Sequence, residues 1–288
     1  MPLSLNKPEE QPMSVKSMMV HVDKGDSCKA RLDAAFNLAV TQNAHVTGVG
    51  LREQMPIDNA YALQMPKEVV EAFKEQLDER LNELGKSFNA AAKSNGWEDK
   101  SDWQKLLGDP VTSVSTAGRY VDMIVVGQTK SDSLPEQFKL PDNLVFESGR
   151  PVMVIPHHGA KTIGKRILVA WNASREAARA VSDAIPLMEQ AEAVRIVTID
   201  EKMTDDIPNF DIAQLLARHN IKAEATNTTP GNDSGNSAGE AILNQAAKFN
   251  ADLIVMGAYG HSRFRETMLG GATRYILENT KVPAMLSH

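Results

Sequence analysis

One nine-residue pattern occurs twice in this chain, and it limits the fold more than any other feature. Arg119-Tyr-Val-Asp-Met-Ile-Val-Val-Gly127 matches Phe249-Asn-Ala-Asp-Leu-Ile-Val-Met-Gly257 in kind and order. In both, an Asp precedes a short apolar run that stops at glycine. Both are followed, some 25 residues later, by a proline-led apolar run, Pro151-Val-Met-Val-Ile-Pro156 and Pro283-Ala-Met-Leu-Ser287. Runs this short and this apolar fit strands buried on both faces. A repeat at this separation in 288 residues means two copies of one unit, each about 120–140 residues, an ordinary domain size.

The segments between the apolar runs read as helices. In the first half, strands are expected at Ser17–Val22, Ala44–Gly50, Asp102–Leu107, Val121–Val126 and Pro151–Pro156. A helix starts near Ser27, and another begins in the turn at Pro66. The second is the clearest in the chain: Val70, Phe73, Leu77, Leu81, Leu84, Phe88 and Ala91 recur at spacings of three and four. Gly108-Asp-Pro110 introduces a short third helix. Residues 157–165 are a polar linker, and the pattern then restarts. Strands are expected at Arg166–Trp171, Val194–Ile199, Lys222–Thr228, Leu253–Met256 and Pro283–Ser287. Ser174 caps the first helix of this half, and others run near Asn209–His219, Ala238–Phe249 and Thr273–Thr280. Alternating strands and helices with apolar strands predict parallel sheets covered on both faces. The two units are placed at 16–156 and 166–288.

Composition excludes several classes. The net charge is −6, with 31 Lys and Arg against 37 Asp and Glu and no basic block, which argues against nucleic-acid binding. Cys28 is the only cysteine, so neither an internal disulfide nor a cysteine metal site can form. No run of about 18 apolar residues is present. Met1 to Met13 is polar and lacks the apolar centre of a signal peptide, so a cytoplasmic protein without membrane contact is expected. The full Gly-x4-Gly-Lys-Ser/Thr phosphate loop, the Gly-x-Gly-x-x-Gly turn and His-Glu-x-x-His are all missing. The adjacent His157 and His158 read as a solvated pair, and no metal site is predicted.

The chemistry-bearing stretch follows the fourth strand of the second half. Gly257, Gly260 and Gly270-Gly271 lie between that strand and a helix that starts at Thr273. Glycines let backbone N–H groups approach a phosphate, and a helix start supplies unpaired donors and the positive dipole end. Asn172 ends the first strand of the same half. Ligands of parallel sheets bind beyond the strand C-termini, so Asn172 and Gly257 are expected to face one site.

On these residues the chain resembles the universal stress protein family in its tandem form, over nearly all of residues 16–288. The resemblance implies two Rossmann-like domains, each a five-stranded, mostly parallel sheet of order 3-2-1-4-5 with helices on both faces. Nucleotide-binding members carry Gly-x2-Gly-x9-Gly followed by Ser or Thr, which Gly257, Gly260 and Gly270 match. The implied site comprises Ala170, Trp171, Asn172, Ile199, Met256, Gly257, Gly260, His261, Gly270, Gly271, Ala272 and Thr273. Its implied ligand is ATP or AMP, with or without Mg²⁺. Two positions depart from the family pattern. Asn172 stands where an Asp usually contacts adenine, and Gly271 replaces the hydroxyl after the third glycine. Thr273 is the nearest substitute hydroxyl.

The first half keeps the first-strand acid as Asp23 but has Lys130 at the second glycine and no counterpart of the third. It is therefore expected not to bind ATP in the family's manner, and to pair with the second half as family dimers do. The leading functional expectation is a stress-associated adenine-nucleotide-binding regulator that hydrolyses slowly or not at all. One alternative is an interaction or oligomerisation module without nucleotide. Another is a slow ATPase using Glu266 or His261. An internal pseudo-dimer, alone or as a homodimer, with an unidentified protein partner, completes the expectation.

Overall fold

The computed structural model describes residues 14–52, 65–129, 140–199, 211–228, 237–258 and 271–288. In the first half β1 (Ser17–His21), α1 (Cys28–Gln42), β2 (His45–Leu51), α2 (Lys67–Ser94), β3 (Ser101–Leu106), α3 (Pro110–Gly118), β4 (Met123–Gly127), α4 (Leu140–Glu147) and β5 (Val152–Ile155) follow one another. The second half runs β6 (Arg166–Trp171), α5 (Arg175–Met188), β7 (Ala193–Ile199), α6 (Ile212–Arg218), β8 (Ala223–Thr228), α7 (Ala238–Phe249), β9 (Leu253–Gly257), α8 (Gly271–Asn279) and β10 (Ala284–Ser287).

All ten strands form a single sheet of order β3-β2-β1-β4-β5-β10-β9-β6-β7-β8. Each half has the expected order 3-2-1-4-5, and its strands pair in parallel. The halves meet where β5 and β10 pair antiparallel, with Met285 opposite Met153. This is the last-strand pairing that the resemblance implied, made within one polypeptide.

Burial follows position in the sheet. The strands β4, β5, β9 and β10 are buried along nearly their whole length, as the apolar runs require. The edge strands β3 and β8 are polar and largely solvated, which protects the sheet from further pairing. The two apolar layers each contain residues of both halves. One holds Met123, Met153, Met285 and Val255, and the other Ile124, Val154, Leu286 and Ile254. The core is thus continuous across the β5–β10 seam. Gln42 Nε2 donates to Gln190 Oε1 at 3.1 Å, and buried Gln128 Nε2 donates to the Thr280 carbonyl at 3.3 Å, so polar contacts also cross it.

Local signals hold where a cap or a long apolar stripe marks the element. Ser174 Oγ accepts the Ala177 N–H at 3.1 Å, and Asp109 Oδ1 accepts that of Thr112 at 2.9 Å, with Pro110 opening α3. The buried stripe of α2 is Leu77, Leu81, Phe88 and Ala92. The helix α4 has no counterpart in the elements read from the sequence. It is two turns long and carries Pro141, and so few residues show no helical period.

Candidate functional site

The second-half residues singled out from the sequence gather at the C-terminal edge of the sheet. The strand β6 lies between β7 and β9. Ala170 and Trp171 are its last residues and are half-buried, and exposed Asn172 follows them. Ile199 ends β7, and Met256 and Gly257 end β9, with Met256 in register with Ala170. Because β9 and β10 are parallel, the intervening α8 runs back across the sheet. Its first residues, Gly271 and Ala272, therefore start at the same edge. Thr273 is buried, at 3% exposure. Gly260, His261, Gly270 and Glu266 lie outside the described residues.

The glycines at this edge differ physically. A methyl group added to Gly257 would stand 2.3 Å from the Ala177 nitrogen and 2.5 Å from the Glu176 carbonyl carbon. Both are backbone atoms at the start of α5, so Gly257 is where strand and helix touch. Around Gly271 such an atom would meet no described residue within 4 Å. Gly271 stands at the helix start, clear of the described strands and helices.

The turn from β6 to α5 is Asn172-Ala173-Ser174. Asn172 Oδ1 accepts the Ser174 N–H at 3.2 Å, and Ala173 takes φ 56° in the left-handed region. A residue with a Cβ is disfavoured there by about 1–2 kcal/mol. Ala173→Gly is expected to stabilise the protein by about 0.5–1 kcal/mol, after the greater chain entropy of glycine is subtracted. Equilibrium urea unfolding of both proteins measures it; a destabilised variant would mean that the turn relaxes once freed.

Glu176, unmarked by the sequence pattern, lies directly below Gly257 and is 4% exposed. Burial pushes its carboxyl up, but hydrogen bonds, led by the Arg175 side chain, outweigh this and hold it below the usual range. Arg175 Nε is 2.5 Å from Glu176 Oε1. Among the described residues no group of three or more His, Cys, Asp or Glu is arranged to hold a metal. No described helix is long and apolar enough to cross a membrane.

The equivalent edge of the first half is built differently. Asp23, two residues beyond β1, accepts the Gly25 N–H on Oδ1 at 2.8 Å, the turn role expected of it. Its Oδ2 lies 2.8 Å from Nη2 of Arg31, a side chain of α1 that is 4% exposed. His21 Nδ1 is 3.6 Å from the same oxygen. Both oxygens of Asp23 are therefore engaged by the protein. A methyl group on Gly127, at the end of β4, would collide with Arg31 Nη1 at 2.1 Å. The arginine thus lies across the position that matches Gly257. Sequence reasoning missed Arg31, because no periodic rule links a strand-end acid to a basic residue eight positions on. Lys130 lies outside the described residues.

This cluster makes stability depend on pH. Burial, and then the Arg31 charge, push His21 from 6.5 down to about 4, against the opposing pull of Asp23. The folded state therefore takes up its proton later than the unfolded chain. Stability is expected to fall as pH drops from about 6.5 to about 4, by up to about 3 kcal/mol. Burial raises Asp23, but Arg31, His21 and the Gly25 N–H together hold it below its usual value. Its own contribution is lost only at still lower pH. His21→Leu should flatten the slope between pH 4 and 6.5 in urea unfolding; an unchanged slope would assign it to other groups.

Beside this cluster a cavity of about 1030 Å³ opens at the ends of β1, β2 and β4, bounded by α2 and the starts of α3 and α4. It occupies the place in the first half that the candidate edge occupies in the second.

Residues 164–288 match the model of the universal stress protein family. The second half is a universal stress protein domain. The whole chain has the fold of a universal stress protein from Archaeoglobus fulgidus, with 16% identity and a TM-score of 0.71, covering 96% of this chain and 99% of that one. A Pseudomonas aeruginosa protein described as functionally unknown has 14% identity and a TM-score of 0.55, covering 95% of this chain and 92% of that one. No curated protein matches the sequence. The first half shares this fold, and the two halves stand in the tandem arrangement expected.

Proposed function

We propose that this tandem universal stress protein is a regulator that binds one adenine nucleotide, ATP or AMP, in its second half. The units are taken as residues 16–156 and 166–288. The observation that carries the reading is the start of α8 at the edge formed by the ends of β6 and β9, where no described residue comes within 4 Å of a Cβ at Gly271. A phosphate there meets backbone donors and the positive end of the helix dipole. The spacing of Gly257, Gly260 and Gly270 is that of the family's nucleotide loop, and Asn172 stands where the family reads adenine. Asn172 lacks the charge of the usual Asp, and its Oδ1 already accepts the Ser174 N–H, which favours modest affinity. Any Mg²⁺ would arrive on the phosphates, since no carboxylate cluster is arranged for it among the described residues. The protein is read as a binder rather than an enzyme, acting in the cytoplasm through a partner that recognises its nucleotide state.

The test is a denaturing extraction of purified protein with mass analysis of the released small molecules, repeated with Gly271→Ser. Adenine nucleotide is expected, with higher occupancy in the variant, because the added hydroxyl has room and one more donor reaches the phosphate. Release of no nucleotide, with no thermal shift on adding ATP, would leave the interaction-module reading in its place.

A further inference from the structure

The first-half cavity has walls of one kind and an end of another. Leucines of α2, Leu77, Leu81 and Leu84, form one side, and Leu51, Val126 and Leu140 close much of the rest. At the sheet end stands Arg31, 3% exposed. Asp23 Oδ2 forms an ion pair with Nη2 at 2.8 Å, which leaves Nε without an acceptor among the described residues. A buried guanidinium left short of acceptors is uncommon and calls for a reason.

The polar features argue against a phosphate chain. Two helices, α3 and α4, begin at this cavity, and Pro110 and Pro141 lie in their first turns, where each lacks an N–H. The Asp109 carboxylate takes another donor of α3. The described lining carries four Lys or Arg side chains against three Asp, one positive charge net. Lys24 and Arg52 are already paired, with Glu83 and Asp78 at 3.3 Å each, which disfavours a ligand with several negative charges.

We propose that the first half binds an amphipathic small molecule with an apolar body and one anionic head, a class distinct from the nucleotide of the second half. The body lies against the leucines of α2, and the head lies at the end of β1, where Arg31 gains the acceptor it lacks. At about 1030 Å³ the cavity matches the upper range of small-molecule sites, which are mostly apolar with few polar anchors.

The experiment is fluorescence titration of the full chain with 1-anilinonaphthalene-8-sulfonate, which has an aromatic body and one sulfonate. The uncharged N-phenyl-1-naphthylamine serves as comparison. Saturable binding of about one sulfonate probe per chain is expected. Leu84→Trp should weaken both probes by filling the space, with the melting temperature checked for each variant. The pair Arg31→Met with Asp23→Asn removes the head contact without leaving a lone buried charge. It should weaken the sulfonate probe about tenfold or more and the neutral probe hardly at all. ATP should displace neither. No saturable site, displacement by ATP, or equal loss of both probes in the Arg31 and Asp23 pair would overturn the proposal. A nucleotide site in the second half would stand or fall separately.

Discussion

Arg31→Met is expected to destabilise the protein by about 2 kcal/mol, less than the cost of breaking a fully buried ion pair because the Asp23 side chain is 38% exposed. The substitution keeps most of the volume of the side chain, so the loss is electrostatic. Asp23 would remain with its Gly25 N–H contact and half-buried, without the cation that outweighs its desolvation. His21 would also lose the charge that helps to hold its pKa down, and would protonate at higher pH. Adding Asp23→Asn should restore more than half of the lost stability. Urea unfolding of the two single variants and the pair gives the coupling directly. Strictly additive effects would show that the 2.8 Å ion pair contributes nothing to the fold.

Gly257→Ala should cost about 3 kcal/mol, at or beyond the usual upper end for overpacking. The new methyl would meet backbone of α5 at 2.3 Å, and a helix start cannot move aside as a flexible side chain can. In the same experiment Gly271→Ala, with no described residue within 4 Å of its Cβ, should be neutral or stabilising by up to about 1 kcal/mol. The contrast separates two roles within one glycine motif, helix–strand contact at Gly257 and ligand space at Gly271. Thermal unfolding of both variants checks it. Equal effects would mean that β9 and α5 shift apart readily.

Much of this architecture is legible in the sequence because burial writes it there. Parallel central strands are buried on both faces, so β4, β5, β9 and β10 appear as unbroken apolar runs. Caps such as Ser174 and Asp109 act over three residues, and are as visible in sequence as in space. The arrangement around Asp23 is different. Arg31 reaches it from α1, the leucines of α2 come from more than 50 residues away, and α4 is too short for a periodic signal. Such contacts are set by tertiary packing and leave no local pattern. For the same reason Glu176 under Gly257 could not be read from the glycine spacing. The equivalence of the two halves and the loss of the glycine loop from the first were visible, and the Arg31 side chain lying across the first sheet edge was not.

We propose a single nucleotide site, in the second half. It is tested by isothermal titration of the full chain with ATP, alongside Gly260→Arg and Asp23→Asn. A stoichiometry near one is expected, lost in Gly260→Arg and kept in Asp23→Asn. Two sites per chain, or binding that survives Gly260→Arg and disappears in Asp23→Asn, would contradict it.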